Sequence, residues 1–276
     1  MAQQRRDTTQ ATAATTDRTA RAGPLGGAVA PRSTVLYVSP AGSSELTGRP
    51  GTPVLGVSPM VIVDVETTGL GACPPERVVE VAALRLDGDG MPVAGLETLV
   101  DPGVPIPPQA TATHGISDVM VATAPPFEAV AGRLARLLAG AILVGHSASF
   151  DYSFLYGEYR RLGRRLPRLP MVCTRQLTRR LRPDQPRYRL ADCCRAFGLD
   201  DPASQAATAG ATATAALLRR LLPLATSQGV SPLLDQPAAQ PWLLPDGWGE
   251  PWPITARPMA RSAPSRPAAA TRMLPS

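Results

Sequence analysis

Residues 60–70 read Met-Val-Ile-Val-Asp-Val-Glu-Thr-Thr-Gly-Leu, an apolar run that two acids interrupt. The run predicts a buried strand over 60–65. Side chains two residues apart share one face of a strand, so Asp64 and Glu66 project together while the intervening valines face the core. Such neighbouring carboxylates repel each other unless a cation lies between them, and their hard oxygens suit Mg²⁺ or Mn²⁺. The other interpretation, an exposed edge strand with two solvated acids, is disfavoured by the flanking valine and isoleucine residues.

A third acid follows a short strand that we predict at 141–145. The segment Gly-His-Ser-Ala-Ser-Phe-Asp at 145–151 joins this strand to a helix predicted from about 149 to 162, and either serine of the segment can cap the helix. Asp151 then lies in the first turn, where the helix dipole favours a negative charge. Taken alone, Asp151 is more simply explained as an ordinary first-turn acid.

The remaining pattern predicts a mixed α/β fold. Strands at 77–86 and 91–100 flank an Asp-Gly-Asp-Gly turn, which indicates an antiparallel hairpin. Strands come first in the chain and helices alternate with strands after them, which is typical of a mixed sheet covered by helices. The other predicted elements are a strand at 171–174 and helices at 127–138, 174–182, 188–197 and 203–222.

Three parts of the chain are distinguished by composition. Residues 1–56 and 225–276 are rich in Pro, Gly, Thr and Ala without sustained periodicity, so we expect disordered extensions around a globular domain at 57–224. The C-terminal extension holds all three tryptophans, which indicates either a partner-binding motif or a segment that covers apolar surface. No run approaches 18 apolar residues, and no apolar core of a secretory signal follows the N-terminus. The four cysteines show no regular framework, so a reduced, cytoplasmic setting is expected.

The positive charge of the chain is concentrated in one block. The net charge is +6, all 28 basic residues are arginines, and eleven of them lie between Arg160 and Leu190 against one acid, Asp184. Guanidinium groups pair with phosphates, so the block predicts contact with nucleic acid, and the tyrosines beside it could stack on unpaired bases. The other interpretation is a solvated helical surface with the tyrosines in the core.

Together, the first two motifs resemble those of the DEDDh 3′–5′ exonucleases, a family that includes the proofreading epsilon subunit of bacterial DNA polymerase III. The segment Thr-His-Gly-Ile-Ser-Asp at 113–118 is similar to the family's linking segment, and the similarity runs from about Met60 to Leu222. The resemblance implies a ribonuclease-H-like fold with a central mixed sheet of about five strands. It also implies that four acids hold two divalent metals, Mg²⁺ or Mn²⁺, and that a histidine near the fourth acid is the general base.

The third motif of this family is incomplete in the chain. The family pattern His-x-Ala-x-x-Asp-Ala-x-Ala-Thr aligns with residues 205–214, where Gln205 stands in place of the base and Gly210 in place of the fourth acid. Asp64, Glu66 and Asp151 stand at the first three acidic positions. The nearest other acids, Asp200 and Asp201, are expected to cap the following helix. Glutamine cannot accept a proton near neutral pH, so we expect hydrolysis to be severely reduced or lost.

The resulting functional prediction is a 3′–5′ exonuclease of the replication and repair type with an incomplete catalytic set. The alternative is a non-catalytic module of the same fold that binds nucleic acid or a DNA polymerase. The expected partner is single-stranded or 3′-terminal DNA, with RNA and a polymerase as further candidates. The expected nucleic-acid contacts are Thr67, Thr68, Gly69, Leu70, His114, Ser147, Phe150, Arg160, Arg161, Arg164 and Arg165.

Overall fold

A computed structural model of the chain describes residues 58–71, 76–202 and 206–233, and the backbone of 35–38. Within these residues the strands are β1 (Val35–Val38), β2 (Met60–Thr67), β3 (Val78–Leu86), β4 (Pro92–Leu99), β5 (Ile142–Gly145) and β6 (Met171–Cys173). The helices are α1 (Pro108–His114), α2 (Asp118–Val121), α3 (Phe127–Leu138), α4 (Ala148–Arg161), α5 (Thr174–Leu181), α6 (Leu190–Ala196) and α7 (Ala207–Ser227). The three tryptophans of the C-terminal extension lie outside the described residues.

The described strands form one mixed sheet in the order β1-β4-β3-β2-β5-β6. Strands β2, β3 and β4 are antiparallel neighbours, and the predicted hairpin turn joins β3 to β4. Strands β2, β5 and β6 are parallel. The predicted mixed sheet covered by helices is therefore confirmed, and β1 adds an edge strand to the five that the pattern predicted.

Both faces of the sheet are buried. Val61, Val63 and Val65 of β2 pack on one face against α3 and α4, as predicted. Met60 and Ile62 point to the opposite face, where they pack under α5, α6 and α7. Strand β2 is thus apolar on both sides until Asp64, because helices cover the sheet on both sides and exclude water.

Helix α7 differs from the prediction at both ends. Its N-cap position is Ala206, and the carboxylate of Asp201 instead pairs with Arg195 at 3.0 Å, so the predicted capping by Asp200 and Asp201 is wrong. The helix also continues through Pro223 to Ser227. Leu221 and Ala225 are fully buried on either side of this proline, and their packing holds the helix together where local propensity would end it.

Helix α4, which carries Asp151, is tied to strand β3 by a buried ion pair. Glu158 is 2% exposed and accepts two hydrogen bonds from Arg77, from Nε at 2.7 Å and from Nη2 at 3.0 Å. The backbone N–H of Val78 donates to the same carboxylate at 3.2 Å. A bidentate pair between a buried carboxylate and an arginine holds two elements at one distance and orientation.

We therefore expect Glu158→Ala to lower the free energy of unfolding by about 1–3 kcal/mol, because it leaves the Val78 N–H without an acceptor and Arg77 with only the carbonyl of Pro102. Urea unfolding followed by circular dichroism measures this change. Asp184→Ala, which removes an exposed carboxylate, is the matched control and should change stability by less than about 0.5 kcal/mol. Equal effects of the two substitutions would show that this ion pair does not hold α4 in place.

Candidate active site

Asp64 and Glu66 lie at the carboxyl end of β2 and point to the side that α7 covers. They continue the face of Met60 and Ile62, and both side chains are partly buried. The predicted pair of carboxylates on one strand face is therefore present. Since β2 lies in the middle of the sheet, the alternative of an exposed edge strand is wrong.

Asp151 reaches the same place from the first turn of α4, where it is 3% exposed. Strand β5 is parallel to β2, so the loop after Gly145 begins at the edge of the sheet at which β2 ends. Gly145 makes the approach possible, because a Cβ there would lie 2.6 Å from Oδ2 of Asp151. Ser147 occupies the N-cap position of α4, but its hydroxyl makes no capping hydrogen bond, so that part of the prediction is wrong.

Burial and mutual repulsion raise the pKa of all three carboxyl groups. Burial, then the charges of Asp151 and Glu80, raise the pKa of Asp64 well above its usual range. Burial, then Asp64 and Glu80, raise the pKa of Glu66 to about 8. Burial raises the pKa of Asp151 to about 8, although hydrogen bonds from the backbone act to lower it. The charge of Glu66 raises this pKa further. Each carboxyl therefore senses a neighbour in the group, which we call the acidic trio.

Glu80 is a buried acid beside the trio that the sequence analysis did not single out. It lies directly across from Glu66 in the β2–β3 pair and is fully buried. Its Oε2 accepts the N–H of Ala207 at 2.8 Å, so it satisfies a free amide at the start of α7. An acid inside the apolar strand predicted at 77–86 was the sequence feature that could have indicated Glu80. Its position beside the trio, however, depends on the pairing register of β2 and β3.

Helix α7 brings no carboxylate to the trio, because Gly210 lies where it meets β2. A Cβ at Gly210 would lie 2.0 Å from Oδ2 and 2.9 Å from Cγ of Asp64. The carboxyl group of Asp64 thus fills the space that a side chain on α7 would need. Gln205, the other altered position, lies outside the described residues.

Both histidines of the chain have both ring nitrogens engaged. His146 bonds Thr174 Oγ1 through Nδ1 at 3.0 Å and the carbonyl of Tyr188 through Nε2 at 2.9 Å. His114 bonds the carbonyl of Thr67 through Nε2 at 3.3 Å and accepts the N–H of Ile116 at Nδ1. Carbonyl acceptors place the proton on Nε2 in each case. Burial lowers the pKa of both rings, so neither is arranged to take a proton from water.

The loop after β2 lies next to His114, through the bond between His114 Nε2 and the carbonyl of Thr67. Thr67 donates its hydroxyl to the carbonyl of Gly69 at 2.6 Å, and Thr68 accepts the N–H of Arg77 at 2.9 Å. These bonds hold a tight turn whose tip, Leu70, is 89% exposed. An exposed apolar side chain beside buried acids is available to a ligand.

The structure separates the arginine block into two groups. Arg160 and Arg161 end α4 about ten residues after Asp151, which is about 15 Å along the helix axis, and Arg164 and Arg165 follow them. Arg161 donates from Nη2 to the carbonyl of Glu76 at 3.0 Å, and Glu76 lies against Gly69, so Arg161 lies beside the turn that follows β2. Arg175 begins α5 at the carboxyl edge of the sheet, and its charge acts on His146. Phe150, also a predicted contact, packs against Phe154 at 4.8 Å between ring centroids.

Residues 61–218 match the family model of the RNase T type exonuclease. The match covers more than half of the chain. The chain belongs to the exonuclease family. Its mixed sheet with helices is the ribonuclease-H-like fold that the motifs predicted.

Two relatives and one solved structure illustrate the similarity. The DNA polymerase III subunit epsilon-like protein of Rhodobacter capsulatus is 35% identical over 196 residues, covering 68% of this chain and 28% of that protein. The PolC-type DNA polymerase III of Halalkalibacterium halodurans is 32% identical over 173 residues, covering 63% of this chain and 12% of that protein. The chain thus spans less than a third of these relatives. E. coli exonuclease I in complex with a dT13 oligonucleotide shares the fold, with a TM-score of 0.54, 18% identity, and coverage of 62% of this chain and 42% of that one.

Exonucleases of this family use divalent metal ions, and the trio fits that chemistry in part. Its three buried, mutually repelling carboxylates are hard oxygen donors that a cation would neutralise. Gly210 offers no fourth donor. Among the described residues, no three His, Cys, Asp or Glu side chains are arranged to hold a metal ion. The carboxylates would have to rotate to converge on a cation, since Asp64 is directed toward Gly210.

No helix among the described residues is long and apolar enough to cross a membrane.

Proposed function

We propose that this exonuclease domain binds 3′ ends of nucleic acid, DNA foremost, and hydrolyses the terminal phosphodiester at a strongly reduced rate. The observation that carries the proposal is the contact between Gly210 and Asp64. The trio brings the three acids of the first two motifs to one place, while α7 faces them without a carboxylate. The site is thus built for a metal-dependent hydrolase but lacks part of its donor set.

The chain's own residues would act in two ways. Asp64, Glu66 and Asp151 would hold Mg²⁺ or Mn²⁺, which supplies an activated water and stabilises the leaving 3′ oxygen when bound. The turn that Thr67 and Gly69 form would position the terminal nucleotide against the trio. The proton of the attacking water lacks a histidine acceptor, because both rings are engaged and Gln205 cannot accept it.

A second candidate function is non-catalytic binding of nucleic acid, or of a DNA polymerase, by the same domain. The same Gly210 contact supports it, since a site without its fourth acid can still present a groove to a 3′ end. A polymerase partner is supported by the two DNA polymerase III relatives.

The test is degradation of a 5′-labelled single-stranded DNA by the full chain with Mg²⁺, Mn²⁺ or EDTA. We expect slow shortening from the 3′ end with either metal, none with EDTA, and none by Asp64→Asn, because the amide cannot replace an anionic ligand. Asp89→Asn, an exposed acid in the turn between β3 and β4, is the matched control and should act as the native chain does. Shortening that persists in Asp64→Asn would contradict hydrolysis at the trio. Binding of the DNA without any shortening would favour the second candidate.

A further inference from the structure

The tyrosines around α4 divide into one core residue and two that face a surface pocket. Tyr159 is fully buried, donates its hydroxyl to the carbonyl of Ala131 at 2.6 Å, and packs edge-on against Phe127. Tyr152 and Tyr156, one helical turn apart on the same face of α4, are only half-buried. Their ring centroids lie 6.1 Å apart at an angle of 31°. Core packing accounts for the first tyrosine and leaves ring surface of the other two accessible.

The pocket lies between this face of α4 and the loop that leads to β6. It has a volume of about 580 Å³ and is lined by Tyr152, Tyr156 and residues 165–168. Leu166 is buried in the core and anchors the loop. The hydroxyl of Tyr152 donates to the carbonyl of Pro167 at 3.1 Å. The volume is typical of pockets that bind small organic ligands, and the anchored loop makes the pocket preformed.

Two arginines give this pocket a positive charge. Arg165 and Arg168 are exposed, and neither forms an ion pair within 4.0 Å with a carboxylate among the described residues. Burial and the neighbouring Tyr156 raise the pKa of the Tyr152 phenol, while Arg168 and Arg165 act in the opposite direction. Both arginines line the same pocket as the two rings, so one ligand can reach both.

We propose that this pocket binds a nucleotide unit, with its base against the ring of Tyr156 and its phosphate on Arg165 and Arg168. Aromatic rings provide a stacking surface for any base, and guanidinium groups pair with phosphate oxygens in a fixed geometry. A nucleotide combines both features, whereas an inorganic anion would leave the rings unused. Tyr152, which lines the pocket, directly follows Asp151 in the chain. Binding of a nucleotide in the pocket nevertheless requires neither the trio nor hydrolysis. The ligand is either a free mononucleotide or a unit of a single strand.

The test is binding measured in EDTA, so that hydrolysis cannot contribute. The probes are a fluorescein-labelled 12-nucleotide single-stranded DNA, followed by anisotropy, and 5′-dAMP, followed by calorimetry. Tyr156→Ala should weaken binding about 5- to 100-fold, and Tyr156→Phe should bind as the native chain does. Arg168→Ala should weaken binding and reduce the slope of log affinity against log salt by about one. Arg136→Ala, an exposed arginine on α3, is the matched control and should have neither effect.

The two probes distinguish the source of the nucleotide. Effects of Tyr156→Ala on both probes identify a mononucleotide site, and effects on the DNA alone identify a site for a strand. Native affinity for both probes in correctly folded Tyr156→Ala and Arg168→Ala overturns the proposal. Equal competition by poly-glutamate also overturns it, because the pocket would then select charge alone. Because binding is measured in EDTA and hydrolysis only with metal, failure of hydrolysis and failure of the pocket are seen separately.

Discussion

The double variant Gln205→His/Gly210→Asp is expected to degrade 3′-ended single-stranded DNA at least ~10²-fold faster than the native chain in Mn²⁺. A general base alone contributes typically ~10²–10⁴ in rate. A fourth carboxylate on α7 would add an anionic ligand directly opposite Asp64, where the helix and the strand are in contact. The expected gain in rate therefore comes from two separate groups, a base and a fourth carboxylate, added to a trio that is already assembled.

The geometry at Gly210 sets one condition for this result. A Cβ there would lie 2.0 Å from Oδ2 of Asp64, so the Asp64 side chain must rotate away from α7. The atom in the way is the end of a side chain, which can turn, and a cation shared by the two carboxylates would favour the new rotamer. Replacing this helical glycine by Asp also recovers about 0.3 kcal/mol of helix propensity.

The controls separate the added charge from the added bulk. Gln205→His/Gly210→Asn has the same shape as the double variant but lacks the carboxylate, and Gly210→Ala adds only the Cβ. The Asn variant should gain no more than the added histidine contributes as a base, and Gly210→Ala should not exceed the native rate. The measurement is the initial rate of 3′ shortening of a 5′-labelled oligonucleotide at saturating protein. If the double variant folds, binds Mn²⁺ and still cuts no faster than the native chain, the third motif is not the cause of the reduced activity. If it cuts no faster than its Asn counterpart, the added carboxylate contributes nothing to the rate.

The metal-free protein is expected to lose stability as the pH rises from 7 to 8.5, by on the order of 2 kcal/mol. The pKa values of Glu66 and Asp151 are raised to about 8 in the folded state, from ordinary values near 4. Their stabilising effect is complete below the unfolded-state pKa values and is lost as the pH rises through the folded-state values. Both histidines have a lowered pKa, so they are neutral throughout this window and do not oppose the trend.

Urea unfolding in EDTA at pH 7.0, 7.5, 8.0 and 8.5 measures this slope. Glu66→Gln and Asp151→Asn should each flatten it, because an amide releases no proton, whereas Asp184→Asn should leave it unchanged. Mn²⁺ should restore stability most at pH 8.5, where the ionised carboxylates bind it best. Stability that rises over the same range would mean that the carboxyl groups are not close and buried in the folded protein.

The elements that carry the site follow from local patterns. Three local patterns each predict an element within a few residues of its observed bounds. They are the alternation in 60–66, the Asp-Gly-Asp-Gly turn and the strand-to-helix segment at 145–151. Hydrophobic periodicity and turn-forming residues depend only on neighbours in the chain, so they can be recognised without knowledge of the fold. The positions of Asp64, Glu66 and Asp151 at one edge of the sheet follow from the same patterns once the parallel pairing of β2 and β5 is recognised.

Contacts between distant segments could not be predicted in this way. The register of β2 and β3 places Glu80 opposite Glu66, and Glu80 rather than Asp200 or Asp201 satisfies the first amide of α7. The packing of α7 directs Asp64 toward Gly210. The contact of Arg161 with the carbonyl of Glu76, next to the turn after β2, likewise joins segments that are far apart in the chain.

The sequence was therefore sufficient for the exonuclease fold and for the three acids that remain, because these depend on short-range periodicity and on motif spacing. Packing decided the rest: which buried acid joins the trio, where the carboxylate of Asp64 is directed, and which tyrosines remain accessible. Those outcomes depend on register and on side-chain contacts between residues as far apart as Glu80 and Ala207, which no local pattern records.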